Sequence, residues 1–288
     1  MTIIVRAETD LFRLAKIYPD IILVNPVNCM GVMGAGLALE FSERFPNMME
    51  GYKKACQSKE LVMGKLHIYK ENNDNTIVIN FPTKNHFMDV SRVEDIELGL
   101  KALREFIKDY PFYQTILPMM GCGLGLLDYQ TVYPYMVKHL DDLPNIVHVC
   151  MLPSKMKRPL RYIGVVGSRD FDDYDFIEWG IKETLLDWNL DLQHFDALVS
   201  GGAAGVDTCA EKIGKLNGLK TVVVRADWKK YKQSAGMLRN VVIGDSVTHL
   251  IAFPSKTSIG TYHTIKLIQD YNKREDKPYE KKLAIIQV

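Results

Sequence analysis

The stretch Asn25-Pro-Val-Asn-Cys-Met-Gly-Val-Met-Gly-Ala-Gly36 decides how the first half of this chain is read. An apolar run at 21–24 enters it and predicts a buried strand. An amphipathic segment at 37–45 leaves it and predicts a helix that stops before Pro46. A glycine-rich loop thus joins a strand end to a helix start. Glycine admits positive φ and lets backbone N–H groups approach a ligand closely. A helix N-terminus adds unpaired donors and partial positive charge, a setting that suits phosphate. Gly31, Gly34 and Gly36 give the spacing G-x-x-G-x-G, not the G-x-G-x-x-G of a dinucleotide fold. No Gly-Lys-Ser/Thr follows, so the loop is not a P-loop. Taken alone it is also readable as a tight turn with close packing.

A second loop, Leu117-Pro-Met-Met-Gly-Cys-Gly-Leu-Gly-Leu-Leu-Asp128, again follows an apolar run, at 113–117, and precedes a helix. Two such loops at strand ends can clamp a diphosphate from both sides. The pair resembles the macro domain family, the ADP-ribose-binding module, and within it the DarG-type branch that removes ADP-ribose from DNA. The matching pieces are Val27-Asn28 with Gly31-Val-Met-Gly34, then Phe45-Pro46 and Tyr52-Lys-Lys-Ala-Cys56. Asn80-Phe-Pro-Thr-Lys84 with Asn85-His86-Phe87 and Gly121-Cys-Gly-Leu-Gly125 with Leu127-Asp128-Tyr129 follow in the family's order.

The resemblance implies an ADP-ribose site built from Asp10, Asn28, Gly31, Val32, Met33, Gly34, Gly121, Cys122, Gly123, Leu124 and Gly125. It implies chemistry at Lys84, His86 and Asp128, with Lys84 beside the distal ribose. A lysine there either attacks the opened sugar as an amine or stabilises the departing group electrostatically. Related hydrolases acting on protein glutamate esters carry an Asp where Gly125 stands, so the expected substrate moves toward an N-linked ADP-ribose. Plainer readings stand beside these. Asp10 is also a helix N-cap, Asn28 a loop cap, Lys84 a loop lysine, and His86 a packing or capping residue. Cys29 and Cys122 lack an obvious base and read as small packing residues. An ADP-ribose-1″-phosphate phosphatase is a further reading that the loops leave open.

Length and composition set the frame. A chain of 288 residues predicts about two domains, and 47% hydrophobic residues suffice for ordinary cores. Lys+Arg 36 against Asp+Glu 35 leaves a formal charge of +1, which gives no broad electrostatic surface for nucleic acid. The five cysteines are scattered, with no CxxC pair or Cys/His cluster, so neither a metal site nor a disulfide framework is expected. A reduced cytoplasm is the natural setting. Neither a signal peptide nor a membrane span is expected, nor is a cofactor. Whether the chain forms a homo-oligomer is left open.

Strands are predicted at 2–6, 65–69, 76–81 and 146–151, with a turn at 71–75. Helices are predicted at 46–56, 91–108 and 131–140. In the second of these, Val93, Ile96, Leu100, Leu103 and Ile107 form one apolar stripe, and Ser91 with Glu94 makes a capping-box pattern. Residues 1–152 are therefore expected to fold as a three-layer α/β/α macro domain. Pro153-Ser-Lys-Met-Lys-Arg-Pro159 reads as the core of a linker over 153–160, with a small phosphate-binding arm as the alternative.

Residues 161–288 restart the alternation. Strands at 162–166, 197–200, 221–224, 248–253 and 283–287 are interleaved with helices, and the strand ends carry Gly, Ser and Thr. In an open parallel sheet that edge binds ligands. Gly167-Ser168-Arg169, Gly201-Gly202 with Gly205 and Asp207, Arg239-Asn240 and Gly260-Thr261 resemble the SLOG superfamily of Rossmann-like nucleotide-binding domains. The resemblance implies a nucleotide-derived ligand on those residues. Arg169 and Arg239 are its phosphate partners, with a salt-bridge role as the plainer alternative. SLOG enzymes that cleave nucleoside monophosphates carry Pro-Gly-Gly-x-Gly-Thr and a nearby Glu. Here Pro254-Ser-Lys-Thr-Ser-Ile-Gly260-Thr261 lacks the paired glycines, and Tyr262-His263-Thr264 supplies no carboxylate. The expectation is binding without chemistry in this domain, and glycohydrolysis of ADP-ribosylated nucleic acid in the first. The rival is a non-catalytic sponge or sensor of ADP-ribose or NAD-derived nucleotides, suited to conflict between phage and host.

Overall fold

Residues 2–6, 10–71, 75–151 and 160–288 are described by a computed structural model of the chain, in which they form two units, 2–151 and 160–288. The expected linker lies outside the described residues except for Leu160, as do Thr9 and positions 72–74 of the expected turn.

In the first unit the strands are β1 (Ile3–Arg6), β2 (Ile21–Asn28), β3 (His67–Lys70), β4 (Thr76–Lys84), β5 (Gln114–Pro118) and β6 (Val147–Cys150). They form one sheet in the order β1-β6-β5-β2-β4-β3, parallel throughout except for β3 against β4. Central β2 has neighbours on both sides and buries Ile21, Ile22, Leu23 and Val24, which explains its unbroken apolar run. The helices are α1 (Leu11–Ala15), α2 (Gly36–Arg44), α3 (Pro46–Gln57), α4 (Val93–Ile107) and α5 (Tyr129–Leu140). Helix α2 packs on α3 and β2, and α1 joins it through Phe12 against Phe41; α4 and α5 pack on each other.

The stripe of α4 is buried at Ile96, Leu100, Leu103 and Ile107, as its spacing predicts, with Val93 only half-buried. Its start differs from the expectation. The N-cap is Arg92, with no side-chain cap bond, and Ser91 makes no capping box. Ser91 is instead drawn into the second glycine loop, where its N–H donates to the Gly125 carbonyl at 2.9 Å. Glu94 and Asp95 in the first turn still favour the helix dipole.

In the second unit β7 (Tyr162–Gly167), β8 (Ala197–Ser200), β9 (Thr221–Val223), β10 (His249–Phe253) and β11 (Lys282–Ile285) form an all-parallel sheet ordered β11-β10-β7-β8-β9. Its helices are α6 (Tyr174–Asp187), α7 (Val206–Leu216), the short α8 (Trp228–Tyr231), α9 (Ala235–Ser246) and α10 (Ile259–Asn272). Helices α6 and α7 pack together, as do α9 and α10. One core gathers Ile163, Val165, Ile177, Ile181, Leu198, Val206, Ile213 and Phe253.

The contact between α4 and β4 is tight enough to test. A Cβ at Gly99 would lie 2.2 Å from Cζ of the fully buried Phe81 ring. Alanine in a helix gains about 0.5–1 kcal/mol over glycine, whereas overpacking costs about 1–3 kcal/mol. Gly99→Ala is therefore expected to destabilise the protein by about 1–2 kcal/mol. Urea unfolding followed by circular dichroism checks this, and a stabilised variant would contradict the packing account.

Candidate functional site

In both units the chain turns to opposite sides of one strand, and a crevice opens where it does so. In the first unit that place lies between the C-terminal ends of β2 and β5, where the two glycine loops emerge. Gly31, Gly36 and Gly121 have φ of +76°, +58° and +71°, a conformation that side chains resist. A cavity of about 260 Å³ marks the corresponding place in the second unit, and one of about 530 Å³ the first.

The 530 Å³ cavity is lined by Asn28, Val32, Gly34, Gly121, Gly123, Leu124, Gly125 and Lys84. Gly36, Leu37, Ala38, Thr83 and Phe87 also line it, and the sequence had not marked them as site residues. The first three open α2, whose N-cap Ala35 offers no side chain to the free amides. That end of a nine-residue helix is a place for an anion. A second cavity of about 430 Å³ shares Gly36, Leu37, Pro118, Met119 and Gly123 with the first. It continues past Leu11, Cys122, Asp128, Tyr129 and Met151. Together they make one long cleft with the two loops across its middle.

The loops are held by their own polar groups. Asn28 is buried, accepts from the N–H of Met30 at 2.9 Å, and donates to the Val32 carbonyl at 2.6 Å. Tyr52 donates its hydroxyl to the Asn28 carbonyl at 2.8 Å. Gly31 lies outside the cavity lining and lets the loop bend against Lys53 and Cys56, while Met33 is buried beneath it beside Asn25. A Cβ at Gly125 would lie 2.2 Å from the Ser91 hydroxyl and 2.4 Å from the Gly121 carbonyl. The position tolerates no side chain, so the aspartate of the glutamate-ester hydrolases has no room here. Gly34 and Gly123 differ: a Cβ at Gly123 would meet nothing within 4 Å.

The three residues expected to carry chemistry do not converge. Lys84 lies in the cleft wall, and its ammonium donates to the carbonyls of Asp89 at 2.7 Å, Leu124 at 2.8 Å and Phe87 at 3.5 Å. His86 lies off the cavity lining, with Nδ1 accepting from the Met88 N–H at 3.2 Å. Asp128 lines the other lobe and N-caps α5 by accepting from the Gln130 N–H at 3.3 Å. Asp10 N-caps α1, accepting from Phe12 and Arg13, and adjoins the Leu11 end of that lobe. Among the described residues that line the 530 Å³ cavity there is no carboxylate or imidazole. Burial, with Cys56 and Asp95 nearby, pushes the Cys29 thiol up to about 11, which keeps it protonated at neutral pH. Among the described residues, no group of three or more His, Cys, Asp or Glu could hold a metal ion.

In the second unit, Gly167, Ser168, Arg169, Asp207, Arg239, Asn240, Gly260 and Thr261 line one cavity between the ends of β7 and β10. Gly201 and Gly202 lie behind it. The Gly201 carbonyl accepts from Arg239 Nη1 at 2.6 Å, and a Cβ on Gly201 would lie 2.1 Å from that nitrogen. Gly202, at φ +66°, turns its N–H onto the Ser200 hydroxyl. Asp207 is 4% exposed and accepts from the N–H groups of Gly201 at 3.1 Å and Ala203 at 3.3 Å. Burial pushes this carboxyl up, while the Arg239 guanidinium and the amides pull it down. Burial outweighs these attractions, so the net direction is up. Arg239 also donates to Asn240, and Asn240 to the Gly260 carbonyl, which fixes the start of α10. Val166, Asp170, Ala203, Ile243, Thr257, Ser258, Ile259 and Thr264 complete the lining, none of them a site residue by the sequence reading. Two guanidiniums, Arg169 and Arg239, and two carboxylates, the buried Asp207 and the exposed Asp170, line this pocket.

Two families match the chain, over stretches that overlap. Residues 24–136 match the macro domain family, and 126–266 match the DNA recombination-mediator protein A family. The second match begins within α5, ahead of the second unit. A DNA ADP-ribosyl glycohydrolase of Mycobacterium tuberculosis is 37% identical over 149 residues, covering 51% of this chain and 42% of that protein. A DNA ADP-ribosyl transferase–glycohydrolase fusion protein of Thermosipho africanus is 33% identical over 154 residues, 48% of this chain and 39% of that one. The chain thus spans less than half the length of these curated relatives. The solved macrodomain of Mycobacterium tuberculosis DarG is 35% identical, covers 52% of this chain and 97% of its own, and superposes with a TM-score of 0.48.

The Asp207–Arg239 arrangement carries its own expectation. Asp207 is buried and Arg239 half-buried, and they attract without a direct hydrogen bond, so removing the guanidinium leaves a buried carboxylate with less countercharge. Arg239→Met is expected to destabilise the second unit by about 1–3 kcal/mol, through the lost bond to the Gly201 carbonyl and the lost countercharge, and adding Asp207→Asn to recover part of that loss. A double-mutant cycle by urea unfolding measures it; additive losses would show that the two groups do not interact.

Proposed function

Because the first unit is a macro domain and the second a SLOG-type Rossmann-like domain, we propose that the chain is an ADP-ribosyl glycohydrolase. Its substrate is ADP-ribose joined to a nucleic-acid base, and its second unit binds a nucleotide-derived anion. The observation that carries this is the place of Lys84 in a cleft that has two amide-rich loops across its middle. ADP-ribose fits that length in one direction. The adenosine end takes the lobe of Leu11, Asp128 and Tyr129, the diphosphate meets the amides of the two loops, and the distal ribose reaches Asn28 and Lys84. The names of the curated relatives support the same chemistry. The expected setting is the cytoplasm.

The reaction breaks the bond from C1″ to the base nitrogen; water adds its hydroxyl to C1″ and the base leaves with a proton. Lys84 donates to three carbonyls, which only accept, so its protons are committed. That arrangement favours a fixed cation that stabilises charge developing on the departing base over a free amine that attacks the sugar. Lys84→Ala is expected to lower single-turnover release of ADP-ribose from a base-modified oligonucleotide by about 10²–10⁴-fold. Binding of free ADP-ribose should fall much less. Lys84→Arg should retain part of the rate if charge is what matters, and none if an amine is required.

A second reading, a sponge or sensor of ADP-ribose in phage–host conflict, is favoured by one observation. No carboxylate or imidazole lines the lobe that holds Lys84. A wild-type protein that binds ADP-ribose but releases none from DNA or protein would decide for it.

Either reading needs the two-loop clamp. Gly123 has open space before it and no positive φ, so a side chain there is expected to leave the fold intact. Gly123→Glu places a carboxylate where the diphosphate belongs and should weaken ADP-ribose binding by about tenfold to a hundredfold. Calorimetry on the folded variant checks this, and unchanged affinity would remove the clamp.

A further inference from the structure

A line of polar side chains crosses the interior of the first unit and ends beneath the first glycine loop. Asn25 on β2 and Asn80 on β4 stand opposite each other in register, and both are fully buried. The Asn25 Nδ2 donates to the Asn80 Oδ1 at 2.8 Å and to the Met33 sulfur at 3.6 Å. Met33 is buried, and its chain neighbours Val32 and Gly34 line the cleft. At the other end of the line, the Asn80 Nδ2 lies 3.0 Å from the Nδ1 of His67, on the edge strand β3. A side-chain amide nitrogen only donates, so this ring nitrogen accepts and the imidazole proton sits on Nε2. That nitrogen lies against α3 at Gly51, where a Cβ would be 3.1 Å from it.

The bonds have one direction. With Nδ1 accepting, Asn80 must turn its nitrogen to His67 and its oxygen to Asn25, and Asn25 must then turn its own nitrogen to Asn80 and Met33. The Asn25 Oδ1 is left buried without a hydrogen bond, so no bond of its own holds that amide in this orientation. A proton on Nδ1 makes it a donor. Both amides must then turn over, and an oxygen replaces the N–H against the Met33 sulfur. Burial holds the His67 imidazole below its ordinary range. Strand β3 packs on β4 and α3. The charged and titratable groups of these elements are committed elsewhere or silent near neutrality. Glu50 and Lys54 bond each other, Tyr69 bonds Glu71, and Lys70 bonds Tyr110. Lys53 lies under Gly31, Tyr52 donates to Asn28, burial pushes the Cys56 thiol up, and Lys84 is held by carbonyls.

We propose that His67 is a positioning residue for the first glycine loop: its neutral ring holds Met33 in place through Asn80 and Asn25, and its protonation weakens the loop's hold on the ligand. This rests on the two-loop clamp for what the loop holds. His67 is half-buried at the sheet edge, away from the cleft lining, so a proton reaches it whether or not the cleft is filled. The coupling is reciprocal. If protonation weakens ADP-ribose binding, bound ADP-ribose must make His67 harder to protonate by the same factor.

The test is calorimetry of ADP-ribose binding to the full chain as pH is lowered from neutrality, with circular dichroism to confirm the fold at each pH. Wild-type affinity should be full near neutrality and fall by about threefold to thirtyfold as His67 takes up its proton, below the ordinary imidazole range. His67→Leu removes the acceptor and should bind weakly at every pH. His67→Asn keeps an acceptor in the place of Nδ1 but cannot titrate. It should restore neutral-pH affinity to within about twofold and flatten the pH profile. A wild-type affinity that ignores pH, a His67→Asn variant that keeps the wild-type profile, or a folded His67→Leu variant with unchanged affinity would each overturn the proposal. If His67→Leu does not fold, wild type and His67→Asn decide between them. If wild type binds no ADP-ribose, the clamp fails separately, and the line of amides is read by NMR. The Met33 methyl signal should then move with the His67 titration in wild type and stay still in His67→Asn; a methyl that ignores the titration would overturn the coupling.

Discussion

Parallel strands cannot be joined by tight turns; each return must cross the sheet, and the chain must at some point change the side to which it builds. Where it does so, two neighbouring strands send their following loops in opposite directions and no segment fills the gap between them. Both units are organised by this constraint. In the first, the gap falls between β2 and β5, and in the second between β7 and β10. The amides at the starts of α2 and α10 face these gaps because a helix that follows a parallel strand begins at the strand's C-terminal end.

The two clefts, each proposed to hold an anion, are built by different means. The first relies on backbone. Its loops are shaped by glycines at positive φ and by Asn28, and its one cation is tied to carbonyls. Such a site costs little desolvation, because no side-chain charge is sunk into the fold. The second relies on a half-buried guanidinium and a buried carboxylate, each held by loop backbone. Arg239 and Asp207 thereby fix three separate loops relative to one another, and Arg169 remains at the surface to meet what enters.

Much of this was legible in the sequence, because strand runs, helix stripes and glycine spacing are local. The glycine loops, the second unit's strand ends and the stripe of α4 follow from periodicity and from what glycine permits. What was not legible depends on long-range contact. Ser91 has the sequence of a capping box, yet the Gly125 carbonyl claims its amide and α4 starts without it. Asp128 sits in a motif with Lys84 in mind, but it follows β5 by a full loop and lands in the other lobe. His86 is two residues from Lys84, and its ring is spent on its own turn. Phe87, three residues past the end of its strand, looks in the sequence like any loop aromatic. Only the convergence of carbonyls on Lys84 shows that it stands at the cleft.

The same reasoning bears on whether the second unit does chemistry. A carboxylate that donates or abstracts a proton needs both access to the ligand and an oxygen not already committed. Asp207 is almost wholly buried, and its Oδ2 accepts from two loop amides. Those bonds shape the loop that backs the pocket, so the carboxyl is a structural element of it. Asp170 lines the cavity but is exposed at its mouth, where nothing withdraws it from water. The one buried carboxylate of this pocket is thus spent on holding its own loop, and the binding role proposed for this unit asks no proton transfer of it.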